Sequence, residues 1–227
     1  MGKISKGLFV TATGTDDGKT YVTALIVKKL REMGINAGYY KAALSGAESV
    51  EESDAGYVNT VANIGEPLDM LVPYIYKNAL SPHLAAQIEG DLVEMSVVKK
   101  GFERVKEAYD YVTMEGSGGI MCPIRYDDKE KIFLEDIIKE FKLPTIIVTE
   151  PKLGSINTTV LTVEYLKNRD IPISGIVLNN WTGGVMQEDN AKMMQELTSV
   201  PVCAYVKIGD KDIDIDEKML LSLYKEI

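Results

Sequence analysis

The chain has 227 residues, of which 45% are hydrophobic and 26% are charged, values typical of one globular domain with a substantial core. Its 34 acidic and 25 basic residues leave a net charge of -9, and no run of Lys or Arg forms a basic patch, which excludes nucleic acid and anionic membrane surfaces as expected partners. No segment has the apolar length of a membrane span, and the two cysteines are isolated in sequence, so we expect a cytoplasmic protein with reduced thiols.

Short runs rich in β-branched residues alternate with amphipathic stretches of helical length along the chain. The predicted strands are 7–11, 36–40, 110–114, 145–149, 173–178 and 202–206. The predicted helices are 19–33, 53–64, 83–89, 95–109, 133–141, 154–168, 185–197 and 216–225. Segments 65–82 and 116–132 are predicted as long irregular pieces, which are typical of functional loops. This alternation predicts an α/β fold with a doubly wound, mainly parallel sheet and helices on both faces, in a single domain spanning residues 1–227.

The first predicted strand leads into a glycine-rich loop, TATGTDDGKT (11–20), which opens a predicted helix. Strand, loop ending in GKT, and helix form the context of a phosphate-binding loop, and they place the fold in the P-loop NTPase type. Lys19 is expected to reach the β- and γ-phosphates and Thr20 to bind Mg²⁺, while backbone N–H groups around Gly18 face phosphate oxygens. Thr13 stands where the strict motif has its first glycine, so an ordinary glycine-containing turn is the alternative.

Two further candidate groups follow later strands of the predicted sheet. Lys41 and Ser45 come at the carboxyl end of the second strand, where ligands of open α/β sheets bind, although a solvated strand-end lysine is the alternative. Asp54 is either a first-turn helix acid or a Mg²⁺ ligand. Glu115 stands at the tip of the strand 110–114, before three glycines, which is the place of a metal-binding acid in P-loop proteins.

Polar residues also follow the last predicted strands. The segment KLGSINTT (152–159) enters a helix, so Ser155 and Asn157 are candidate caps. Asn179 and Asn180 carry amides that suit the edge of a nucleobase, with turn formation as the alternative.

Read in order, GTDDGKT, YYKAALSG, ESDAG, LSPHLAA, MEGSGG, KLGSINTT and LNNW resemble the dethiobiotin synthetase family, with similar spacing over nearly the whole chain. The resemblance implies a homodimer of P-loop domains that converts 7,8-diaminopelargonic acid, CO₂ (from bicarbonate) and MgATP into dethiobiotin, ADP and phosphate. One substrate amine becomes a carbamate, the γ-phosphoryl group passes to the carbamate oxygen, and the second amine closes the ureido ring. This chemistry needs positioning and charge stabilisation more than a strong base.

The resemblance also implies roles for the matching residues. Lys19, Lys41 and Thr15 would be catalytic, the lysines neutralising the carbamate and the transferring phosphoryl group. Mg²⁺ would be held by Thr20, Asp54 and Glu115. The diamine or its carbamate would contact Thr15, Lys41, Ser45, Gly118 and Asn157, the last meeting the substrate carboxylate, even across the dimer interface. ATP would be bound by Asp16, Asp17, Gly18, Lys19, Thr20, Tyr21, Asp54, Glu115, Gly118, Asn179 and Asn180, with the two asparagines facing adenine.

Three other protein classes compete with this interpretation. Partitioning and division-site ATPases, which act as switches, carry an extra Lys near the start of the loop, where this chain has Thr11-Ala12-Thr13. A relative that amidates a corrinoid precursor would need a glutamine-hydrolysing domain for which the chain has no room. A nucleotide-binding subunit without catalysis stays open, but it gives Lys41 and Ser45 no reason to lie together.

Overall fold

A computed structural model describes residues 4–227, so the first three residues of the predicted domain lie outside the described residues. The strands are β1 (Lys6–Ala12), β2 (Ala37–Lys41), β3 (Leu44–Ser45), β4 (Ile75–Tyr76), β5 (Tyr111–Gly119), β6 (Pro123–Tyr126), β7 (Lys131–Phe133), β8 (Thr145–Thr149), β9 (Ile173–Leu178), β10 (Val202–Tyr205) and β11 (Lys225–Glu226). The helices are α1 (Lys19–Glu32), α2 (Asp54–Val61), α3 (Leu68–Leu71), α4 (Pro82–Glu89), α5 (Met95–Ala108), α6 (Leu134–Glu140), α7 (Ser155–Lys167), α8 (Val185–Thr198) and α9 (Glu217–Ser222). Among the helices of residues 4–227, none combines the length and the apolar character that crossing a bilayer requires.

The central sheet has seven strands, six of them parallel in the order β10-β9-β8-β1-β5-β2, with β1 in its interior. Side chains alternate between its faces, so Phe9 packs with one buried cluster while Leu8 and Val10 pack with the other. Helices α1, α2 and α9 cover the Leu8 face, and α5, α6, α7 and α8 cover the Phe9 face. Both faces of the strands are therefore apolar, as in sheets that are buried on both sides. The predicted doubly wound fold is confirmed.

Three segments differ from the prediction. The C-terminal helix ends at Ser222 rather than residue 225, because the following residues form β11, which pairs antiparallel with Lys6 and Gly7 of β1. Strand β8 pairs with β1 only from Phe9 onward, so β11 covers the edge that β8 leaves open.

The two segments predicted as irregular contain short paired elements. Segment 65–82 holds α3 and β4, and β4 pairs in parallel with β3 in a separate two-stranded sheet. Segment 116–132 holds the end of β5 and an antiparallel hairpin of β6 and β7. Strand β5 continues past residue 114 through its glycines to Gly119, which pairs with Ala12 after a register shift.

Candidate functional site

A cavity of about 810 Å³ lies at the carboxyl ends of β1, β2 and β5. The edge is the one at which open α/β sheets bind ligands. Ten of the residues predicted for the site line this cavity: Thr15, Asp16, Gly18, Lys19, Thr20, Tyr21, Lys41, Ser45, Asp54 and Gly118. The structure therefore brings the phosphate loop, the end of β2 and the start of α2 together around one space.

Lys41 is the centre of a buried ionic network beside the cavity. Its side chain is 3% exposed, and its Nζ lies 2.7 Å from Asp54 Oδ2 and 2.9 Å from Glu115 Oε1. Glu115 is fully buried, and its Oε1 also accepts a hydrogen bond of 2.7 Å from the Thr20 hydroxyl. Lys19 Nζ lies 4.0 Å from the same oxygen. The lysine predicted at the strand end is thus a paired, buried group and not a solvated one.

The charges of this network control the pKa values of its members. Burial lowers the pKa of Lys41, but the Glu115 and Asp54 carboxylates together outweigh burial and raise it above the ordinary value for lysine. Burial lowers the pKa of Lys19 more than Glu115 raises it. Burial raises the pKa of Asp54, and the nearby Lys41 and Lys19 reverse this and lower it. Both lysines have carboxylate neighbours that favour their charged forms.

Asn179 packs against the phosphate loop and hydrogen-bonds to its backbone. Its side chain is 3% exposed, and its Nδ2 donates a 3.0 Å hydrogen bond to the carbonyl oxygen of Asp17. Gly18 has a φ of 82°, and a Cβ built on it would lie 2.0 Å from Asn179 Nδ2. Only glycine therefore fits at this point of the loop. Asn179 Oδ1 is buried without a hydrogen-bond partner among residues 4–227, so the predicted adenine contact stays a prediction.

Asp17 anchors the loop from within. The carboxylate is almost completely buried, and its Oδ2 accepts a 2.6 Å hydrogen bond from the Thr13 hydroxyl. The Thr13 hydroxyl oxygen also lies 3.0 Å from the Thr149 hydroxyl at the end of β8, whose proton it can accept. Lys152 Nζ lies 3.5 Å from Asp17 Oδ1. Thr13, which departs from the strict motif, thus ties the loop to the neighbouring strand.

Thr20, Asp54 and Glu115, the predicted Mg²⁺ ligands, lie together on one side of the network. They offer a hydroxyl and two carboxylates, the hard oxygen donors that Mg²⁺ prefers, and Mg²⁺ ordinarily completes its shell with water and phosphate oxygens. Within residues 4–227, no three His, Cys, Asp or Glu side chains cluster as metal ligands. A cation here would thus need the threonine hydroxyl and oxygens of the nucleotide, and the residues present fit that arrangement.

Five predicted residues do not line the cavity: Asp17, Glu115 and Asn179, which contact the loop or the ionic network, and Asn157 and Asn180. Asn157 is exposed in the first turn of α7, and Asn180, with a φ of 55°, follows the end of β9. Neither lines the cavity, so their predicted contacts with the substrate carboxylate and with adenine remain predictions. Tyr21, which does line it, donates a hydrogen bond to the carbonyl oxygen of Asp210 and so joins α1 to the segment after β10.

Sequence analysis missed several residues at the site. The missed cavity residues are Leu44, Tyr57, Ala79, Leu80, Ser81, Pro82, Ser117 and Cys122. Burial raises the pKa of Cys122 to about 11, so this thiol is kept protonated at neutral pH. Tyr39, also missed, donates from its hydroxyl to Glu115 Oε2 at 3.1 Å. Its spacing of two residues from Lys41 on β2 was an available signal, because such residues share a strand face.

Residues 6–210 match a sequence family described as an AAA domain. The chain is 47% identical to "ATP-dependent dethiobiotin synthetase BioD" of Brachyspira hyodysenteriae, covering 98% of this chain and 100% of that one. It is 48% identical to the protein of the same name from Clostridium botulinum strain Loch Maree, over 99% and 100% of the two chains.

Solved structures resemble the fold at much lower identity. A ParA family ATPase from Chlorobium tepidum has a TM-score of 0.55 and 17% identity over 97% of this chain and 90% of its own. A MinC:MinD cell division complex from Aquifex aeolicus has a TM-score of 0.54 and 14% identity over 96% and 85%. At these identities the likeness concerns the fold alone.

Proposed function

The chain belongs to the ATP-dependent dethiobiotin synthetase family, and from this premise we propose that it converts 7,8-diaminopelargonic acid, CO₂ and MgATP into dethiobiotin, ADP and phosphate. The observation that carries the proposal is Lys41, held 2.7 Å from Asp54 and 2.9 Å from Glu115 beside the phosphate loop. A simple nucleotide switch has no need of a second buried lysine at the end of β2.

The proposed reaction has three steps. One amine nitrogen bonds to the carbon of CO₂ and loses a proton, which leaves a carbamate. A carbamate oxygen then bonds to the γ-phosphorus as the bond to ADP breaks, giving a carbamic-phosphoric anhydride. The second amine nitrogen bonds to the carbonyl carbon and loses a proton as the bond to phosphate breaks, and the ureido ring is closed. Each step moves negative charge between oxygens, so fixed positive charge is the main requirement.

Lys19 and Lys41 meet that requirement in the proposal. They approach the same oxygen of Glu115 from different elements, α1 and β2, so two ammonium groups flank the region where the phosphoryl group is transferred. Thr15 lines the same cavity and lies near Gly118, where a hydroxyl and a backbone N–H can contact the carbamate. The carboxylates favour the charged form of both lysines and hold them in place before substrate arrives.

Mg²⁺ is the cation that Thr20, Asp54 and Glu115 would hold, and it would neutralise charge on the β- and γ-phosphates. The hydroxyl and carboxylate oxygens already converge, since Thr20 Oγ1 lies 2.7 Å from Glu115 Oε1. Of the three, Asp54 is the most accessible, with half of its side chain exposed.

The cavity also suits the hydrocarbon part of the proposed substrate. Its remaining wall is largely apolar and comes from the segments around β3 and α4: Leu44, Ala79, Leu80 and Pro82. Ser45 stands at this wall and donates to the Leu80 carbonyl at 2.5 Å. The proposed substrate has an aliphatic chain between polar ends, and the cavity offers an apolar wall beside the polar residues of the phosphate loop and β2.

The proposal includes a homodimer in the cytoplasm. Asn157 does not line the cavity of its own chain and is exposed on α7, close to the exposed Leu153 and Leu161. This placement fits an asparagine that reaches the substrate carboxylate of a partner chain. The two cysteines are free and half-buried, which fits a reducing compartment.

The decisive experiment follows phosphate release by the purified protein with MgATP and bicarbonate, with and without 7,8-diaminopelargonic acid, and detects dethiobiotin by mass spectrometry. Diamine-dependent release together with the ureido product is the expected result. If ATP is hydrolysed equally without diamine and no product forms, the proposal fails and a switch ATPase of the partitioning type becomes the better interpretation.

A further inference from the structure

Tyr39 is a completely buried tyrosine on β2 whose hydroxyl contacts Glu115 of the ionic network. It lies two residues before Lys41, so both side chains point to the same face of the strand. The hydroxyl donates to Glu115 Oε2 at 3.1 Å, whereas Lys41 and Thr20 both contact Oε1. The two oxygens of one carboxylate therefore have separate sets of partners.

We propose that Tyr39 is a positioning residue that fixes the orientation of Glu115, so that only Oε1 is offered to the cation of the nucleotide. This inference rests on the proposed function in one respect, the role of Glu115 as a Mg²⁺ ligand. It adds that Glu115 binds through a single oxygen and that a phenol outside the cavity imposes this.

The geometry requires such a partner. The terminal torsion of a glutamate is broad, so a carboxylate held only through Oε1 can rotate about its last bond. Glu115 is fully buried, and within residues 4–227 the Tyr39 hydroxyl is the hydrogen-bond partner of Oε2. A buried carboxylate oxygen without a hydrogen-bond donor is unfavourable. Without the Tyr39 hydroxyl, the Glu115 carboxylate would therefore rotate so that both of its oxygens share the donors that now contact Oε1 alone.

The backbone of Tyr39 is itself held in place. Strand β2 is the last strand of the sheet order, and its residues 37–41 pair with β5, with Lys41 opposite Glu115. On the open side of β2, the amide nitrogen of Tyr39 donates to Glu66 Oε2 at 3.4 Å. The phenol is thus mounted on a strand that is bonded on both sides, which is what a positioning group requires.

Tyr40 provides a matched control. It is 1% exposed and donates from its hydroxyl to the carbonyl oxygen of Val98 at 2.9 Å, so Tyr40→Phe removes an equally buried hydroxyl from the same strand. Its side chain points to the opposite face, away from Glu115. A loss of stability alone would affect the two variants alike.

The test measures the Mg²⁺ dependence of nucleotide binding, which needs no turnover. Wild-type protein, Tyr39→Phe and Tyr40→Phe are titrated with a fluorescent ATP analogue at increasing Mg²⁺, and the electron paramagnetic resonance spectrum of bound Mn²⁺ is recorded for each. We expect the half-saturating Mg²⁺ concentration of Tyr39→Phe to rise about tenfold, the size of effect known for groups that orient metal ligands. The Mn²⁺ spectrum should change with it, and Tyr40→Phe should match wild type in both.

Two outcomes overturn the inference. The first is a Tyr39→Phe variant whose Mg²⁺ dependence and Mn²⁺ spectrum equal those of Tyr40→Phe. The second is a Glu115→Gln variant with wild-type Mg²⁺ dependence, because Glu115 is then no ligand. Failure of the proposed function gives a different result. The wild type would then make no dethiobiotin, but the Mg²⁺ dependence of its nucleotide binding would still differ from that of Tyr39→Phe.

Discussion

At the scale of single residues, the effect of a substitution depends on which charged side chains are buried beside the residue. If Lys41 were a solvated lysine at a strand end, as its sequence position alone allows, a Lys41→Ala variant would fold normally and lose only turnover. The structure changes that expectation, because Lys41 is 3% exposed and its partner Glu115 is fully buried. Removing one member of a buried ion pair leaves the other charge without compensation, which is more costly than losing a surface pair.

Lys41→Ala is expected to lose most turnover and also to lower the free energy of unfolding, by about 3–5 kcal/mol if the whole penalty of an uncompensated buried charge applies. Urea denaturation measures the second effect. The double variant Lys41→Ala/Glu115→Gln should recover part of the stability, because a neutral amide replaces the unpaired carboxylate, while turnover stays low. A single variant as stable as wild type would show that the pair does not act as a buried unit.

At the scale of elements, the phosphate loop follows β1 and packs against the side chain of Asn179. Gly18 opens α1 in the left-handed conformation, and Asn179 occupies the space where its Cβ would be. The loop is therefore shaped by packing from the end of β9 as well as by its own glycines.

Gly18→Ala is expected to destabilise the protein and to abolish nucleotide binding, because the new methyl group meets Asn179 Nδ2 and φ is positive. Gly14→Ala is the matched control, since its Cβ would lie 3.5 Å from Asp17 Oδ2, an ordinary contact. Adding Asn179→Ala to Gly18→Ala should restore part of the stability by relieving the clash but not the strain. Thermal unfolding of the four proteins measures this, and equal melting temperatures for both glycine variants would contradict it.

Elements with a strong local pattern were predictable. The parallel strands of the central sheet and helices such as α1, α5 and α7 have apolar periodicity and lie close to their predicted bounds, except that β5 continues past its predicted end to Gly119. Strand β11 was not predictable, because two residues form a strand only when a distant partner, here β1, is present. The β6–β7 hairpin was not predicted because its strands are too short to show a clear alternation of apolar and polar residues.

The candidate site divides in the same way. Lys19, Thr20, Lys41 and Glu115 follow strands in recognisable motifs, so their convergence at one sheet edge could be predicted. The contact of Tyr39 with Glu115 joins two strands that are far apart in sequence, so the spacing of Tyr39 and Lys41 indicates a shared strand face but not the partner on β5. Leu80 and Pro82 belong to a segment whose path depends on the small sheet of β3 and β4, and they were missed for that reason.

At the scale of the whole molecule, one carboxyl group outside the cavity links stability to pH. Glu66 is 3% exposed, and burial raises its pKa to about 8, despite the hydrogen bond from the Tyr39 amide and the nearby Arg31. Its Oε1 has no hydrogen-bond partner among residues 4–227. Between its ordinary pKa of 4.5 and about 8, the folded protein keeps a proton that the unfolded chain has lost.

The contribution of Glu66 to stability is therefore fully present below its ordinary pKa and is lost as pH rises through about 8. The free energy of unfolding should fall by up to about 1.4 kcal/mol per pH unit across this window from this group. Glu66→Gln should remove that slope, so the variant gains on wild type as pH rises. Urea denaturation from pH 5 to pH 9 measures it, with the exposed Glu51→Gln as the control that should follow wild type. Parallel curves for wild type and Glu66→Gln would contradict the assignment.

The position of β1 also has a consequence for how the protein is made. Its pairing partners are β5, β8 and β11, all of which lie much later in the chain. During translation, the first strand to emerge is thus an apolar segment without neighbours, and the sheet cannot close around it until the middle and then the last elements have been synthesised. Translation speed, and the chaperones that bind emerging apolar segments, should therefore affect the yield of this fold more than they affect one built from local hairpins.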